Sequence, residues 1–209
     1  HPGDSMRALT VPRDADDMYC LAERMFKAGL VPQSFKSIEG AFLAMMKGAQ
    51  YGLLPQQSLA GFYVIGNIAH PYGTCLRGIV RASRDFSGDM EGCIEGVAEL
   101  RHMCNEENPY KPDTDTHGMF FELQRALRRR LARVNERAGK DGMLPAYFCG
   151  FASVKRKGEA PVSMLFDSFD AQRGELSNKD MWKKWPQRMH MHRAGTFVRR
   201  DVFADALMG

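Results

Sequence analysis

The sequence predicts an α+β protein in which a small antiparallel sheet of hairpins packs with several helices. Apolar residues recur at helical spacing in several segments, and two strand-like stretches are each followed by a turn and a return strand. Helices and hairpins alternate along the chain, which is typical of the α+β class. The 209 residues, 44% of them hydrophobic, suffice for one large domain or two small ones. We expect a single domain over residues 6–209, with residues 1–5 an artificial leader before Met6.

The first two helices have clear end signals. Asp14 is placed to cap a helix over residues 14–28, and Gly29 can take the left-handed conformation after it. Ser37 is placed to cap a second helix, which Gly52 ends, and Pro55 is expected to prevent a restart. The apolar face of this second helix consists of Ile38, Ala41, Phe42, Met45, Met46 and Ala49.

A hairpin is expected next. Phe62–Ile65 has strand composition, Gly66 and Asn67 both tolerate positive φ, and residues 68–72 return with Pro71 limiting them to an edge. Residues 76–83 predict a short helix. Arg77 and Arg81 would be exposed on this helix, and Arg84 would be exposed directly after it. Residues 89–100 fit a strand and a helix equally well.

A long helix is indicated from Phe120, after a polar loop over residues 105–118, and residues 139–145 are expected to break it. Its apolar stripe is Phe120, Leu123, Leu127, Leu131 and Val134, and a second face has Arg125, Arg129 and Arg133. That arginine ladder fits a solvated face or a subunit contact about as well as DNA binding.

A second hairpin is expected over residues 147–166, with Lys155, Arg156 and Lys157 projecting from its tip. Ser177 or Asn178 is then placed to cap a helix through Trp182 and Trp185. Pro186 would kink or restart it, and a final helical stretch runs over about residues 189–207.

The positive charge is concentrated at the end of the chain. The net charge is +4, but residues 1–54 sum to zero, residues 55–121 to −4, and residues 122–209 to +8, with 18 basic and 10 acidic side chains. Five scattered cysteines without CxxC spacing indicate reduced thiols in the cytoplasm. No membrane span is expected, because no apolar run approaches about 18 residues.

Motifs for nucleotide hydrolysis are lacking. Gly61 and Gly66 have the spacing of a phosphate-binding loop, but Asn67 stands where that motif needs Lys. The pairs Asp113/Asp115 and Asp167/Asp170 could each hold a divalent cation, although capped turns are the simpler interpretation. His190 and His192 point to different faces of a helix, which favours structural or surface roles over a metal site.

Basic side chains interleave with aromatic ones near the end of the chain, as single-strand binding requires. Trp182, Trp185 and Tyr63 are candidate stacking partners, although burial in the core is the more common fate of a tryptophan.

Two stretches together resemble the RecT family of phage single-strand annealing proteins. The first runs from Gly29 through the Gly-Leu-Leu-Pro step at residues 52–55 to the Phe-Tyr-Val-Ile-Gly-Asn segment at residues 62–67. The second begins with Trp182, Trp185 and Pro186, and continues through an Arg-Ala pair at residues 193–194 to a closing Asp…Gly at residues 205–209. The chain departs from the family pattern over about residues 102–144, which we interpret as a helical insertion.

The resemblance implies a DNA-binding and annealing protein rather than an enzyme, with no catalytic residue, no metal site and no ATP. Such proteins bind single-stranded DNA and the annealed duplex as rings or helical filaments, in a bacterial or phage-infected cell. It implies no cofactor, apart from an effect of Mg²⁺ on DNA annealing. The resemblance implies a phage exonuclease and a host single-strand-binding protein as further partners. The host contacts are often attributed to a C-terminal tail, which we expect to be missing after Gly209. The alternative is a metal-dependent nuclease that uses Asp113/Asp115 or Asp167/Asp170.

The candidate DNA-binding residues follow from this resemblance and from the charge pattern. Tyr63 and Trp182 are expected to pack on bases or backbone, and Lys47 lies on the polar face of its helix. Arg193 suits either a phosphate contact or a buried salt bridge to Asp201 or Asp205. The expected phosphate contacts are Arg77, Arg81, Lys155, Lys157, Lys183, Arg188, Arg193, Arg199 and Arg200.

Overall fold

The computed structural model describes residues 12–141 and 146–208, and within them it confirms the α+β class. The expected start at Met6 and the closing Gly209 lie outside the described residues. The helices are α1 (Ala15–Lys27), α2 (Ile38–Gln50), α3 (Pro55–Gly61), α4 (Gly73–Ala82), α5 (Gly96–Asn105), α6 (Asp115–Asp141), α7 (Ser168–Arg173), α8 (Asp180–Lys184), α9 (Pro186–Val202) and α10 (Ala204–Met208). The strands are β1 (Phe62–Ile65), β2 (Ile68–Pro71), β3 (Phe86–Glu95), β4 (Phe148–Arg156) and β5 (Val162–Asp167).

The chain divides into two compact units, whereas the sequence suggested one domain. The N-terminal unit ends at Ile79 and the C-terminal unit begins at Val80, so that the boundary falls within α4. The N-terminal unit contains the two-stranded sheet β1–β2, and the C-terminal unit contains the three-stranded sheet β3–β4–β5. Both sheets are antiparallel.

The predicted helix ends of the N-terminal unit are confirmed. Asp14 accepts a hydrogen bond from the Asp17 amide at 2.8 Å, and Ser37 accepts one from the Gly40 amide at 3.1 Å. These side chains satisfy amides that the first turn of a helix leaves unpaired. Together α1 and α2 bury a core that includes Met18, Ala22, Met25, Ala41, Ala44, Met45 and Phe62.

The expectation for Pro55 was wrong, because Pro55 begins a helix instead of preventing one. It occupies the first helical position of α3, where its missing N–H costs nothing and its fixed φ suits the helix. The Gln57 side chain accepts a hydrogen bond from the Leu54 amide at 2.9 Å, which helps to fix this end.

The first hairpin is confirmed in its register and in its turn. Ile65 pairs with Ile68, and the two connecting residues Gly66 and Asn67 have φ of 56° and 62°. Positive φ at both positions defines a turn whose twist matches that of the flanking strands.

In the C-terminal unit, the segment that fitted both strand and helix contains both. Strand β3 runs to Glu95, and α5 begins at Gly96, whose φ of +81° turns the chain. The long helix α6 begins at Asp115, five residues before Phe120, and continues to Asp141 through the expected break at Gly139. The rest of that expected break, residues 142–145, lies outside the described residues.

The three-stranded sheet lies between α6 and α9. Leu123, Leu127 and Val134 of α6 form a core cluster with Ile94 of β3 and Cys149 of β4. On the other face of β4, a Cβ at Gly150 would overlap the backbone of His190 in α9. Glycine is therefore the residue that permits this close approach between strand and helix.

The C-terminal helices differ in detail from the prediction. Helix α8 is capped by Lys179 rather than by Ser177 or Asn178, and Lys179 makes no side-chain cap hydrogen bond. Pro186 restarts the helix, as one of the two expected outcomes, and stands at the first position of α9. The final helical stretch is divided at Phe203 into α9 and α10.

Candidate nucleic-acid interface

A tryptophan is exposed at the junction of α8 and α9. The side chain of Trp185 is 56% exposed, although its backbone is held by hydrogen bonds. The Trp185 amide donates to the Met181 carbonyl at 2.9 Å, and the Met189 amide donates to the Trp185 carbonyl at 3.0 Å. The ring is therefore presented to solvent from an ordered backbone.

Exposed cations lie on both sides of this ring in sequence. Lys183 precedes it and makes no ion pair with any described residue, and Lys184 pairs with Asp180 at 3.0 Å. Arg188 follows it and donates from Nε to His192 at 3.1 Å. Arg193 is also exposed, and its guanidinium lies 5.2 Å from the centre of the Phe197 ring. This set combines the two ingredients of a single-strand site, phosphate-neutralising charge and an accessible aromatic face.

Trp182, the expected packing partner of DNA, belongs to the core instead. It is 7% exposed, and its ring lies 5.0 Å from that of His190 and 5.8 Å from that of Phe166. Trp182 lies within α8 and packs against Phe166 of β5, whereas Trp185 lies beyond the end of α8 and is exposed.

Arg199 was expected to contact phosphate, and this is wrong. Its side chain is 3% exposed, and Nη2 donates to Asp89 at 2.8 Å and to Glu91 at 2.6 Å. The buried salt bridge considered for Arg193 is thus made by Arg199, to acids on β3 rather than to Asp201 or Asp205.

The hairpin tip presents one cation instead of three. Pairing of β4 with β3 continues to Arg156, so Lys155 and Arg156 lie within the strand. Lys155 pairs with Asp115, which also accepts from Ser87, and these contacts hold the pKa of Asp115 below its usual value. Only Lys157 lies in the turn and is exposed.

Arg156 joins three parts of the C-terminal unit. It lies 2.8 Å from Asp85, before β3, and 2.6 Å from Asp205 in α10. Hydrogen bonds to the two carboxylates raise the pKa of Arg156 above its usual value.

The remaining predicted residues are partly occupied by protein contacts. Arg81 is exposed but pairs with Asp89 at 2.7 Å, and Arg77 is half-buried on α4. Lys47 lies 5.3 Å from the centre of the Tyr51 ring, and Tyr63 packs 5.0 Å from the Tyr72 ring. Arg200 is half-buried on α9. DNA contacts by these residues remain predictions.

Three of the four acidic side chains in the two pairs, Asp115, Asp167 and Asp170, are engaged in structural contacts. Asp167 caps α7 by accepting from the Phe169 and Asp170 amides at 3.0 and 2.9 Å, and it also accepts from Tyr147 at 3.1 Å. Arg130 lies 3.0 Å from the carboxylates of both Asp167 and Asp170. Asp113 has a φ of +67° in the loop before α6. Across residues 12–141 and 146–208, no group of three or more acidic, histidine or cysteine side chains is placed to hold a metal ion.

A cluster of arginines was missed by sequence reasoning. Arg130, Arg133 and Arg137 of α6 meet Arg173 of α7 around one cavity. The ladder on α6 was visible in the sequence, but nothing local indicated that α7 would lie beside it.

Comparison with known proteins gave no match, whether to a family model, to a curated protein or to a solved structure. The resemblance to the RecT family therefore depends on the ordered sequence blocks alone. In the described part of the chain, no helix is both long and apolar enough to cross a membrane.

Proposed function

We propose that the protein binds single-stranded DNA and anneals complementary strands without ATP, in homologous recombination of the phage type. It acts as a ring or helical oligomer in the cytoplasm. The observation that supports this function best is the exposed Trp185 ring, with Lys183 before it and Arg188 after it.

The exposed Trp185 ring forgoes the favourable free energy that burial of a large aromatic side chain provides. A ring that faces solvent beside cations can stack on any base while the cations neutralise phosphates. Such contacts tolerate every sequence, because phosphate contacts and ring stacking do not distinguish the four bases. An annealing protein needs this tolerance, since it must accept any pair of complementary strands.

Annealing itself needs no energy source from the protein. Base pairing and stacking make the duplex more stable than its separated strands, so the protein has only to neutralise phosphates and keep bases accessible. The resemblance of residues 29–67 and 182–209 to annealing proteins supports the same role.

The charge distribution favours an oligomer as the active form. The excess of +8 lies in residues 122–209, so one subunit offers only a local basic surface. Repetition of that surface along a ring or filament lengthens the footprint and multiplies weak contacts.

Two labelled complementary oligonucleotides test the proposal. Rapid duplex formation in EDTA and without nucleotide is the expected result, with both strands intact on a denaturing gel. Absence of acceleration at low salt would contradict the function. Strands that shorten only when Mg²⁺ is added would favour the nuclease alternative.

A further inference from the structure

The C-terminal unit contains an aromatic cleft that the proposed function does not use. Its volume is about 370 Å³, within the range of roughly 300–1,000 Å³ typical of small-molecule sites. Phe148, Phe169, Trp182 and His190 contribute rings to its lining. Flat rings favour a flat, apolar ligand that can stack between or against them.

Polar groups in the lining can recognise the edge of such a ligand. Gln172 and Asn178 line the cleft, and neither amide makes a hydrogen bond to a described residue. An amide side chain offers two donors and an acceptor, which is the pattern that reads the edge of a heterocyclic base.

His190 adds a hydrogen-bond acceptor, because its contacts fix the tautomer of the ring. Its Nδ1 lies 2.7 Å from the Pro186 carbonyl, which can only accept, so Nδ1 holds the proton. Burial lowers the pKa of His190, so the ring is neutral near pH 7 and Nε2 has a lone pair. Nε2 is buried and has no hydrogen-bond partner among the described residues. Because His190 is one of the residues that line the cleft, a ligand N–H group that reached this buried atom would satisfy it.

A second cavity, of about 470 Å³, shares the Phe169 ring with the cleft. Its lining contains four arginines, Arg130, Arg133, Arg137 and Arg173, and three acidic side chains, Glu136, Asp167 and Asp170, which leaves an excess of one positive charge. Arg130 is neutralised by Asp167 and Asp170, but Arg133 and Arg173 are exposed and make no ion pair with a described residue.

Arg137 connects the arginine cavity to the shared ring. Its guanidinium lies 4.4 Å from the centre of the Phe169 ring. This cation–π contact holds the Arg137 guanidinium at the edge of the cleft. Guanidinium groups that converge in this way suit a phosphate, which they can bind in bidentate fashion.

We propose that the two cavities together bind one nucleotide, with its base in the aromatic cleft and its phosphate at Arg133, Arg137 and Arg173. Each half matches one part of the ligand, since the rings and amides suit a base, and the three arginines outside the Arg130–Asp167–Asp170 cluster suit a phosphate. Two sources offer this chemistry, a free nucleoside monophosphate and the 5′-phosphorylated end of a DNA strand. Trp185 is not among the residues that line the cleft, and the site would hold one nucleotide rather than a length of strand.

Fluorescence of Trp182 provides the direct test. In a Trp185→Phe background Trp182 is the only tryptophan, and it lines the cleft. Titration with deoxyadenosine 5′-monophosphate should give a saturable change, while deoxyadenosine and inorganic phosphate each bind at least tenfold more weakly. A response that is absent, or equal for all three, would overturn the proposal.

A matched pair of double variants tests the phosphate half. Arg133→Gln with Arg173→Gln should weaken binding of the monophosphate at least tenfold. Arg125→Gln with Arg129→Gln removes the same charge from exposed positions of α6 outside the cavity. This control should change the affinity for the monophosphate less than twofold. Equal weakening in both would overturn the site, because it would show attraction by net charge alone.

Competition then separates the two sources of the ligand. Displacement of the monophosphate by a 5′-phosphorylated oligonucleotide, and not by its dephosphorylated form, would support the strand end as ligand. If neither oligonucleotide displaced the monophosphate, a free nucleotide would be supported as the ligand. Annealing by the Arg133/Arg173 variant is measured in parallel, because lost nucleotide binding with retained annealing supports two separate sites. Annealing without any monophosphate binding by the parent protein would overturn the nucleotide site alone.

Discussion

The guanidinium of Arg199 on α9 lies 2.6 Å from the carboxylate of Glu91 on β3, and both side chains are almost completely buried. The same nitrogen also contacts Asp89 at 2.8 Å. A Cβ at Gly195, one turn earlier on α9, would overlap Nη1 of Arg199, so glycine there leaves room for the guanidinium. The ion pair attaches the last long helix to the first strand of the three-stranded sheet.

Replacing Arg199 should destabilise the protein without acting through DNA. Arg199→Met removes the buried cation that pairs with both Asp89 and Glu91, and loss of one partner of a buried ion pair costs about 3–5 kcal/mol. The free energy of unfolding in urea should fall by that amount. Arg193→Met on the exposed face of α9 is the control and should cost less than about 1 kcal/mol. An Arg199→Met protein as stable as the control would contradict the assignment.

Two glycine substitutions should change stability in opposite directions. Gly150→Ala forces a Cβ into the backbone of His190, and overpacking of this kind costs about 1–3 kcal/mol or more. Gly78 lies within α4, and no atom lies within 4 Å of its ideal Cβ. Gly78→Ala should therefore stabilise by about 0.5–1 kcal/mol, through helix propensity. Thermal unfolding of both variants measures the difference, and a neutral Gly150→Ala would exclude the close approach of α9 to β4.

The hairpin cations should differ in their effect on DNA binding. Lys157→Ala removes an exposed cation, so the slope of log affinity against log salt should fall by about 0.7, the value for one phosphate on a single strand. Lys155→Ala removes a partner of Asp115 and should leave the slope nearly unchanged. Titrations of a fluorescent oligonucleotide at several salt concentrations supply both slopes. Equal losses for the two variants would contradict the assignment of Lys155 to an internal ion pair.

Acidification should destabilise the fold partly through His190. Burial lowers the pKa of His190 in the folded protein, whereas in the unfolded chain it takes its ordinary value of about 6.5. The contribution of the neutral ring to the free energy of unfolding is complete above about pH 6.5. It is lost as the pH falls through the pKa that His190 has in the folded protein. The free energy of unfolding should therefore decrease from pH 7 to pH 5, and less steeply in His190→Gln.

The control for this measurement is His102→Gln, which replaces an exposed imidazole on α5. If wild type and His190→Gln lost stability equally between pH 7 and pH 5, the neutral buried ring would be excluded.

Features that depend on neighbours in sequence were predictable. Asp14, Ser37 and the Gly66–Asn67 turn act within a few residues, and each was found as expected. Arg199 was misassigned because its partners lie more than a hundred residues away, at Asp89 and Glu91, and no local pattern connects them. Trp182 and Trp185 are three residues apart, and the end of α8 between them decides which one is buried. Such outcomes depend on tertiary packing, which overrides local preference.

Binding of single-stranded DNA by variants of Trp185 tests the central claim most directly. Alanine substitution of a stacking aromatic costs about 1–3 kcal/mol per base, so Trp185→Ala should bind a labelled oligonucleotide roughly 5- to 150-fold more weakly at fixed salt. Trp185→Phe should retain most of the affinity, and Met181→Ala, at a similarly exposed apolar residue on α8, should retain it fully. Unchanged affinity in Trp185→Ala would contradict the proposed interface.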